Sequence, residues 1–157
     1  MEEMNYLRCE FAAVSKNEAL ARAIVASFLV GLDPTVDELT DLKTAVSEAV
    51  TNSVIHGYGN IGEVFGERKA GGEMPVVEMI CRSEGRKAVV TVKDRGCGIK
   101  NIEEARQPLF TSAPQLERSG LGFSIMESFC DSLEVYSEPG KGTEVILTKV
   151  FGNQTEV

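Results

Sequence analysis

TVDELTDLKTAVSEAVTN, residues Thr35 to Asn52, is the stretch from which the architecture can be read. Thr35-Val36-Asp37-Glu38 has the form of a capping box, in which a threonine hydroxyl accepts from the backbone N–H three residues on while the glutamate reaches back. Apolar residues then recur at Val36, Leu39, Leu42, Val46, Val50 and Val54, the spacing of one buried helix face. The helix is expected to run to about His56, where Gly57 and Gly59 stop it. Glu48 and Asn52 stand one turn apart on another face, about 200° from Val46 and Val50.

A helix that is apolar along one stripe needs a layer to lie on, and the flanking sequence supplies strands. Leu7, Cys9 and Phe11 alternate with Arg8 and Glu10, the period of a strand with one buried face. Ser15-Lys16-Asn17-Glu18 resembles a second capping box, opening a helix with apolar residues at Leu20, Ile24, Phe28 and Leu32 and ended by Gly31 and Asp33-Pro34. Val77, Met79 and Cys81 alternate, Ser83 to Arg86 form a turn, and Ala88 to Lys93 is β-branched and apolar, which together predict a hairpin. Beyond it, a short helix is expected from about Leu121 to Phe129, and two closing strands, Leu133 to Ser137 and Thr143 to Val150, around the turn Pro139 to Gly142. Gly59 to Pro75, with five glycines, reads as a loop, Asn101 to Gly120 as a candidate lid, and the tail from Gly152 as frayed. Hairpins with helices grouped between them give an α+β fold of one domain over 1–157: a two-layer sandwich with a mixed, mostly antiparallel sheet and the helices on one face.

The 157 residues are 43% hydrophobic, enough for one core without disulfide or metal support. A net charge of -8 opposes non-specific contact with nucleic acid or anionic membrane and favours proteins or small molecules as partners. The acidic, polar start and the lack of a long apolar run predict a cytoplasmic protein. Cys9, Cys81, Cys97 and Cys130 form no C-x-x-C pair, so free thiols are expected.

Three segments carry chemistry. Beside Glu48 and Asn52 the side chains are small, Ala45, Ala49 and Ser53, where a solvated face commonly carries long ones; a ligand could come close there, although a solvated helix face accounts for the two polar residues as well. A carboxylate can take a proton from an attacking hydroxyl, and an amide oxygen is a hard ligand suited to Mg²⁺. Asp94-Arg95-Gly96-Cys97-Gly98-Ile99 ends an apolar strand; Gly96 and Gly98 permit positive φ and close approach, and the aspartate can accept from an exocyclic amine such as that of adenine. Taken alone, Asp-x-Gly-x-Gly is equally a plain strand-to-loop turn. Arg118-Ser119-Gly120-Leu121-Gly122-Phe123 opens a helix, where free N–H groups favour phosphate and Arg118 adds a charged donor. Gly140-Lys141-Gly142-Thr143 leads into a strand and lacks the P-loop spacing, which excludes that motif.

In their order these segments resemble the GHKL ATPases, the superfamily of gyrase, the histidine kinases and MutL, with the Bergerat ATP-binding fold. Glu48 to Asn52 is similar to the N box, Asp94 to Gly98 to the G1 box, Gly120-Leu121-Gly122 to the G2 box and Gly142-Thr143 to the closing strand. Asp33-Pro34-Thr35, Ser47 to Asn52, Glu103 to Thr111 and Glu117 to Gly120 further resemble the anti-sigma F factors of sporulating bacteria, over nearly the whole chain. One departure is the stretch Gly59 to Pro75, longer than the corresponding loop of that family.

The resemblance implies a homodimeric serine kinase that sequesters a sporulation sigma factor of RNA polymerase and phosphorylates an anti-anti-sigma protein. It implies Glu48 as general base, Asn52 as Mg²⁺ ligand, Asp94 as reader of the adenine amine and Thr143 as a support for adenine through water. Gly96, Gly98, Ile99, Ser119, Gly120, Leu121 and Gly122 would shape the site for ATP or ADP, with Arg118 near the phosphates and Arg22 toward the protein partners. An ATP-regulated sequestering module without transfer is the alternative, and a hydrolase of the gyrase or MutL type ranks below it because the chain has no room for a transducer domain. His56, the one histidine, lacks the helical pair that carries a phosphoacceptor histidine and is expected to be a helix C-terminal residue.

Overall fold

A computed structural model describes residues 2–62, 73–107 and 122–152. Five strands, β1 (Met4–Ala12), β2 (Val76–Glu84), β3 (Lys87–Asp94), β4 (Ser132–Glu138) and β5 (Gly142–Val150), form one sheet in the order β1-β2-β3-β5-β4. Every strand pair in it is antiparallel, in keeping with the mostly antiparallel sheet expected, and none is parallel among the described residues. Among the described residues four α-helices accompany it: α1 (Asn17–Leu29), α2 (Val36–Asn52), α3 (Ile102–Ala105) and α4 (Gly122–Phe129).

Register aligns the strands in rows that alternate between the two faces. Leu7, Cys81, Val90, Leu147 and Leu133 share one row, and Cys9, Met79, Val92, Val145 and Val135 another. Both rows belong to a single apolar core with the helix residues Val25, Leu29, Leu42, Val46 and Val50. α2 packs against α1, α4 and the sheet, and each large apolar side chain buried there contributes about 1.5–3 kcal/mol.

The Thr35 capping box forms as read: the Glu38 N–H donates to Thr35 Oγ1 at 3.2 Å, and the Thr35 N–H donates to Glu38 Oε2 at 2.9 Å. Val36, placed on the apolar line by its spacing, is instead 80% exposed, and the stripe meets the core from Leu39 onward. The start of α1 differs more. Its N-cap is Lys16, without a side-chain cap, and the N–H groups of Asn17 and Glu18 donate to the backbone oxygens of Val14 and Ser15. With its first donors met by backbone, the helix leaves the Glu18 carboxylate to accept from the Thr51 hydroxyl at 2.9 Å. Leu20 is largely exposed, and the inward stripe is Ala21, Val25, Phe28 and Leu29. α1 stops at Leu29, before Gly31; a 3-10 turn over Val30–Leu32 follows, and Asp33, at φ 48°, closes it with its N–H on Val30 O.

Of the tail expected to fray, Gly152 itself is held in place, and residues 153–157 lie outside the described residues. Phe151 is buried, Arg86 Nε donates to its carbonyl at 2.7 Å, and the Gly152 N–H donates to Glu38 Oε1 at 2.9 Å. At the other end of α4, Lys149 Nζ donates to Phe129 O at 3.0 Å, satisfying a helix-end carbonyl with a cation. No helix among the described residues is long and apolar enough to cross a membrane.

Candidate functional site

The end of α2 shapes the site. After Asn52 the helix continues as a π turn, Ser53–Gly57, closed by the Tyr58 N–H on Ser53 O at 3.0 Å. The expected run to His56 therefore occurs in a wider winding, a form frequent at functional sites. It presents the Gly57 carbonyl to the Asp94 loop, where the Cys97 N–H donates to it at 2.8 Å. Gly96 has no positive φ; its lack of a side chain is needed for contact, since a Cβ there would lie 2.6 Å from Gly57 Cα. Gly98 does sit in the left-handed region, at φ 74°.

Asp94 occupies the next inward position after Ala88, Val90 and Val92, and it is 8% exposed. Burial pushes its carboxyl above the ordinary value, opposed by hydrogen bonds from the Gly96 N–H, the Ser53 hydroxyl and the Thr143 backbone. The first of these is 2.9 Å long. Tyr58 braces the same loop from behind: its hydroxyl accepts from the Arg95 N–H and donates to Val76 O, each at 2.8 Å.

A cavity of about 430 Å³ opens between α2, the Asp94 loop, α3, α4 and β5, a size suited to a small-molecule ligand. Asn52, Asp94, Gly98, Ile99, Gly122 and Thr143 line it. Glu48 comes to its edge: a Cβ on Gly122 would stand 3.2 Å from Asn52 Oδ1 and 3.4 Å from Glu48 Oε2, so both side chains converge on the first residue of α4. Gly96 lies behind the wall, pressed on Gly57. Arg22 is apart from the cavity, donating from Nη1 to Ser47 Oγ at 2.7 Å across the α1–α2 seam. Arg118, Ser119, Gly120 and Leu121 fall outside the described residues, as do most of the 59–75 loop and the later part of the candidate lid.

Several lining residues were given no ligand role in the motif reading: His56, Cys97, Lys100, Asn101, Glu104 and Phe123. Cys97 stands inside the Asp94 motif and His56 follows Asn52 closely, so both were visible in sequence. Asn101 to Ala105 had a local signal as well, because Asn101 Oδ1 caps α3 by accepting from the Glu104 N–H at 3.0 Å.

The chain matches the model of the family described as "Histidine kinase-like ATPase domain" over residues 11–149. It is 52% identical to the anti-sigma F factor of Clostridium kluyveri, covering 95% of this chain and 96% of that one. With the anti-sigma F factor of Clostridium perfringens (strain SM101 / Type A) the identity is 53%, over 92% and 96%. With that of Oceanobacillus iheyensis it is 52%, over 98% and 97%. Among solved structures, the RsbU and RsbW domains of Rv1364c from Mycobacterium tuberculosis superpose with a TM-score of 0.59 at 20% identity, over 94% of this chain and 32% of that one, a likeness of fold.

Proposed function

The chain belongs to the histidine-kinase-like ATPases and, within them, to the anti-sigma F factors, and on that premise we propose that it is an Mg·ATP-dependent protein serine kinase whose second activity is to sequester a sigma factor. The observation that carries the kinase reading is the convergence of the Glu48 carboxylate and the Asn52 carboxamide beside a nucleotide-sized cavity with a buried acid in its wall.

The donor set fits the nucleotide. Asp94 supplies a carboxylate acceptor for an exocyclic amine, and Gly98 and Ile99 let backbone approach the ligand closely. The N-terminal end of α4 at Gly122 offers backbone N–H groups and a positive dipole to phosphate, with Arg118, Ser119, Gly120 and Leu121 preceding it in sequence. Asn52 would hold Mg²⁺ through its amide oxygen, and the ion would supply charge neutralisation on the phosphates. Glu48 orients a serine hydroxyl of the anti-anti-sigma partner and takes its proton; the serine oxygen then bonds to the γ-phosphorus as the bond to the β-phosphate oxygen breaks and ADP leaves. Arg22 would meet the protein partners, and a homodimer is the expected assembly.

The test is incubation with Mg·ATP labelled at the γ-phosphate and an anti-anti-sigma protein, wild type against Glu48→Ala. Label on a partner serine is expected, with transfer reduced about 10²–10⁴-fold in the variant while nucleotide binding persists. Nucleotide binding without transfer by the wild type would leave an ATP-regulated sequestering module instead.

A further inference from the structure

Three polar residues stand side by side at the sheet end of the cavity. Thr143 is paired with Asp94 across β3 and β5 and with Ser137 across β5 and β4. Asp94 and Thr143 line the cavity, whereas Ser137 stands behind Thr143. The Ser137 hydroxyl touches three groups: it receives the Ile99 N–H at 2.8 Å, lies 2.9 Å from the Gly142 carbonyl oxygen, and lies 2.8 Å from Thr143 Oγ1.

Counting donors decides the direction of each bond. A serine hydroxyl has one proton and two lone pairs. The Gly142 carbonyl only accepts, so the Ser137 proton goes there. The Ile99 N–H fills one lone pair, and the other is left for Thr143, which must donate. The single hydroxyl proton of Thr143 is thereby held by Ser137, and toward the cavity Thr143 has only acceptor capacity. Asp94 beside it, whose carboxyl oxygens take hydrogen bonds from the Gly96 N–H, the Ser53 hydroxyl and the Thr143 backbone, is also an acceptor.

We propose that Ser137 is a positioning residue that sets the polarity of the base-binding end: by holding the Thr143 proton it leaves two adjacent acceptors, which select a purine carrying an amino group at the six position over a six-oxo purine. This deepens the adenine-nucleotide reading above and rests on it. A buried acceptor pair facing an oxo group leaves like poles opposed, which costs more than the hydrogen bond gained with the amine contributes. Without Ser137 the Thr143 hydroxyl can turn its proton toward the cavity and serve either base.

Equilibrium titration with Mg·ATP and Mg·ITP tests this on the full chain, with thermal unfolding as a check on folding. Wild type is expected to prefer ATP, Ser137→Ala to narrow the ATP-to-ITP preference by about fivefold, and Ser137→Thr, which keeps the hydroxyl, to restore it. Because Ser137 acts through Thr143, adding Ser137→Ala to Thr143→Val should change the preference no further. Ser137→Cys, close in shape with a weak sulfur acceptor, takes the place of the alanine variant if the latter does not fold. Equal weakening of ATP and ITP, or an unchanged ratio, would show Ser137 to be structural only. Binding of neither nucleotide by the wild type would instead overturn the underlying nucleotide reading.

Discussion

Replacing Gly96 by alanine drives a methyl group into the end of α2. The new Cβ would lie 2.6 Å from Gly57 Cα and nearer still to the Gly57 carbonyl, whereas carbon atoms in contact settle about 3.5–4.0 Å apart. Both sides of this contact are backbone, so no side chain can rotate away, and the loop and the helix end must part by about 1 Å. Two hydrogen bonds depend on that approach, Cys97 N–H to Gly57 O at 2.8 Å and Gly96 N–H to Asp94 Oδ1 at 2.9 Å. Overpacking costs about 1–3 kcal/mol and the loss of one hydrogen bond about 1 kcal/mol, so Gly96→Ala should destabilise the fold by about 2–4 kcal/mol and displace the Asp94 carboxylate. Urea denaturation at unchanged m value reads the first effect, and nucleotide titration the second. Gly31→Ala is the control: no atom lies within 4 Å of its Cβ and its φ is not positive, so it should stay within about 0.5 kcal/mol of wild type. If Gly96→Ala matched Gly31→Ala in stability and bound nucleotide as the wild type does, the close-approach argument would be refuted.

The pH dependence of stability should contain two opposed contributions. Backbone hydrogen bonds from Thr35 and Gly152 hold the Glu38 carboxyl below its ordinary value of 4.5, so its contribution is present above that value and is lost as pH falls through the depressed one; Glu38→Gln should flatten this acid limb in denaturation midpoints measured against pH. Burial raises Asp94 above its ordinary 3.8, so the folded state keeps a proton that the unfolded chain has released; its contribution is full below that value and is lost as pH rises through the raised one, a downward slope that Asp94→Asn should remove. Along α2, Leu42→Ala at a fully buried position should cost about 2–5 kcal/mol, whereas Val36→Ala at an 80% exposed one should stay within about 0.5 kcal/mol by the same assay.

The parts of the fold that were legible in sequence are those held by local rules. The Thr35 box, the α2 stripe from Leu42 to Val54 and the β2–β3 hairpin all follow from spacings of two or three to four residues, and all are present. The position of β5 between β3 and β4 was not legible, because alternation says which face a strand buries and nothing about its neighbours. At Ser15-Lys16-Asn17-Glu18 the sequence did not show that the glutamate also engages Thr51, thirty-three residues away, nor that the Glu18 N–H donates to the Ser15 carbonyl. Leu20 shows tertiary contact overriding period. α1 lies against α2 on the side that carries Ser47 and Thr51, to which Arg22 and Glu18 bond, and it buries Ala21, Val25, Phe28 and Leu29, which leaves Leu20 on the outer side. The π turn leaves no mark in composition, since one residue more per turn alters hydrogen bonding without requiring a particular side chain.

Asp94 differs from these, because its signal was in the alternation itself. Ala88, Val90 and Val92 face the core, so position 94 must face it too, where the pattern calls for a fourth apolar residue. An inward carboxylate there opposes folding through desolvation, which is why its carboxyl is raised, and three donors from three different segments have to be assembled to hold it. Those donors are the means by which the site is built: Ser53 fixes the start of the π turn, Gly96 brings the loop onto Gly57, and Thr143 ties in β5 with Ser137 behind it. A residue that lowers stability while drawing separate elements around itself is where local and global preferences are expected to conflict at a functional site. Strand parity by itself thus marks Asp94 as an inward carboxylate, a signal the motif reading left unused, while the direction of the Thr143 hydroxyl, on which the proposed selectivity rests, depends on contacts across strands that parity cannot reach.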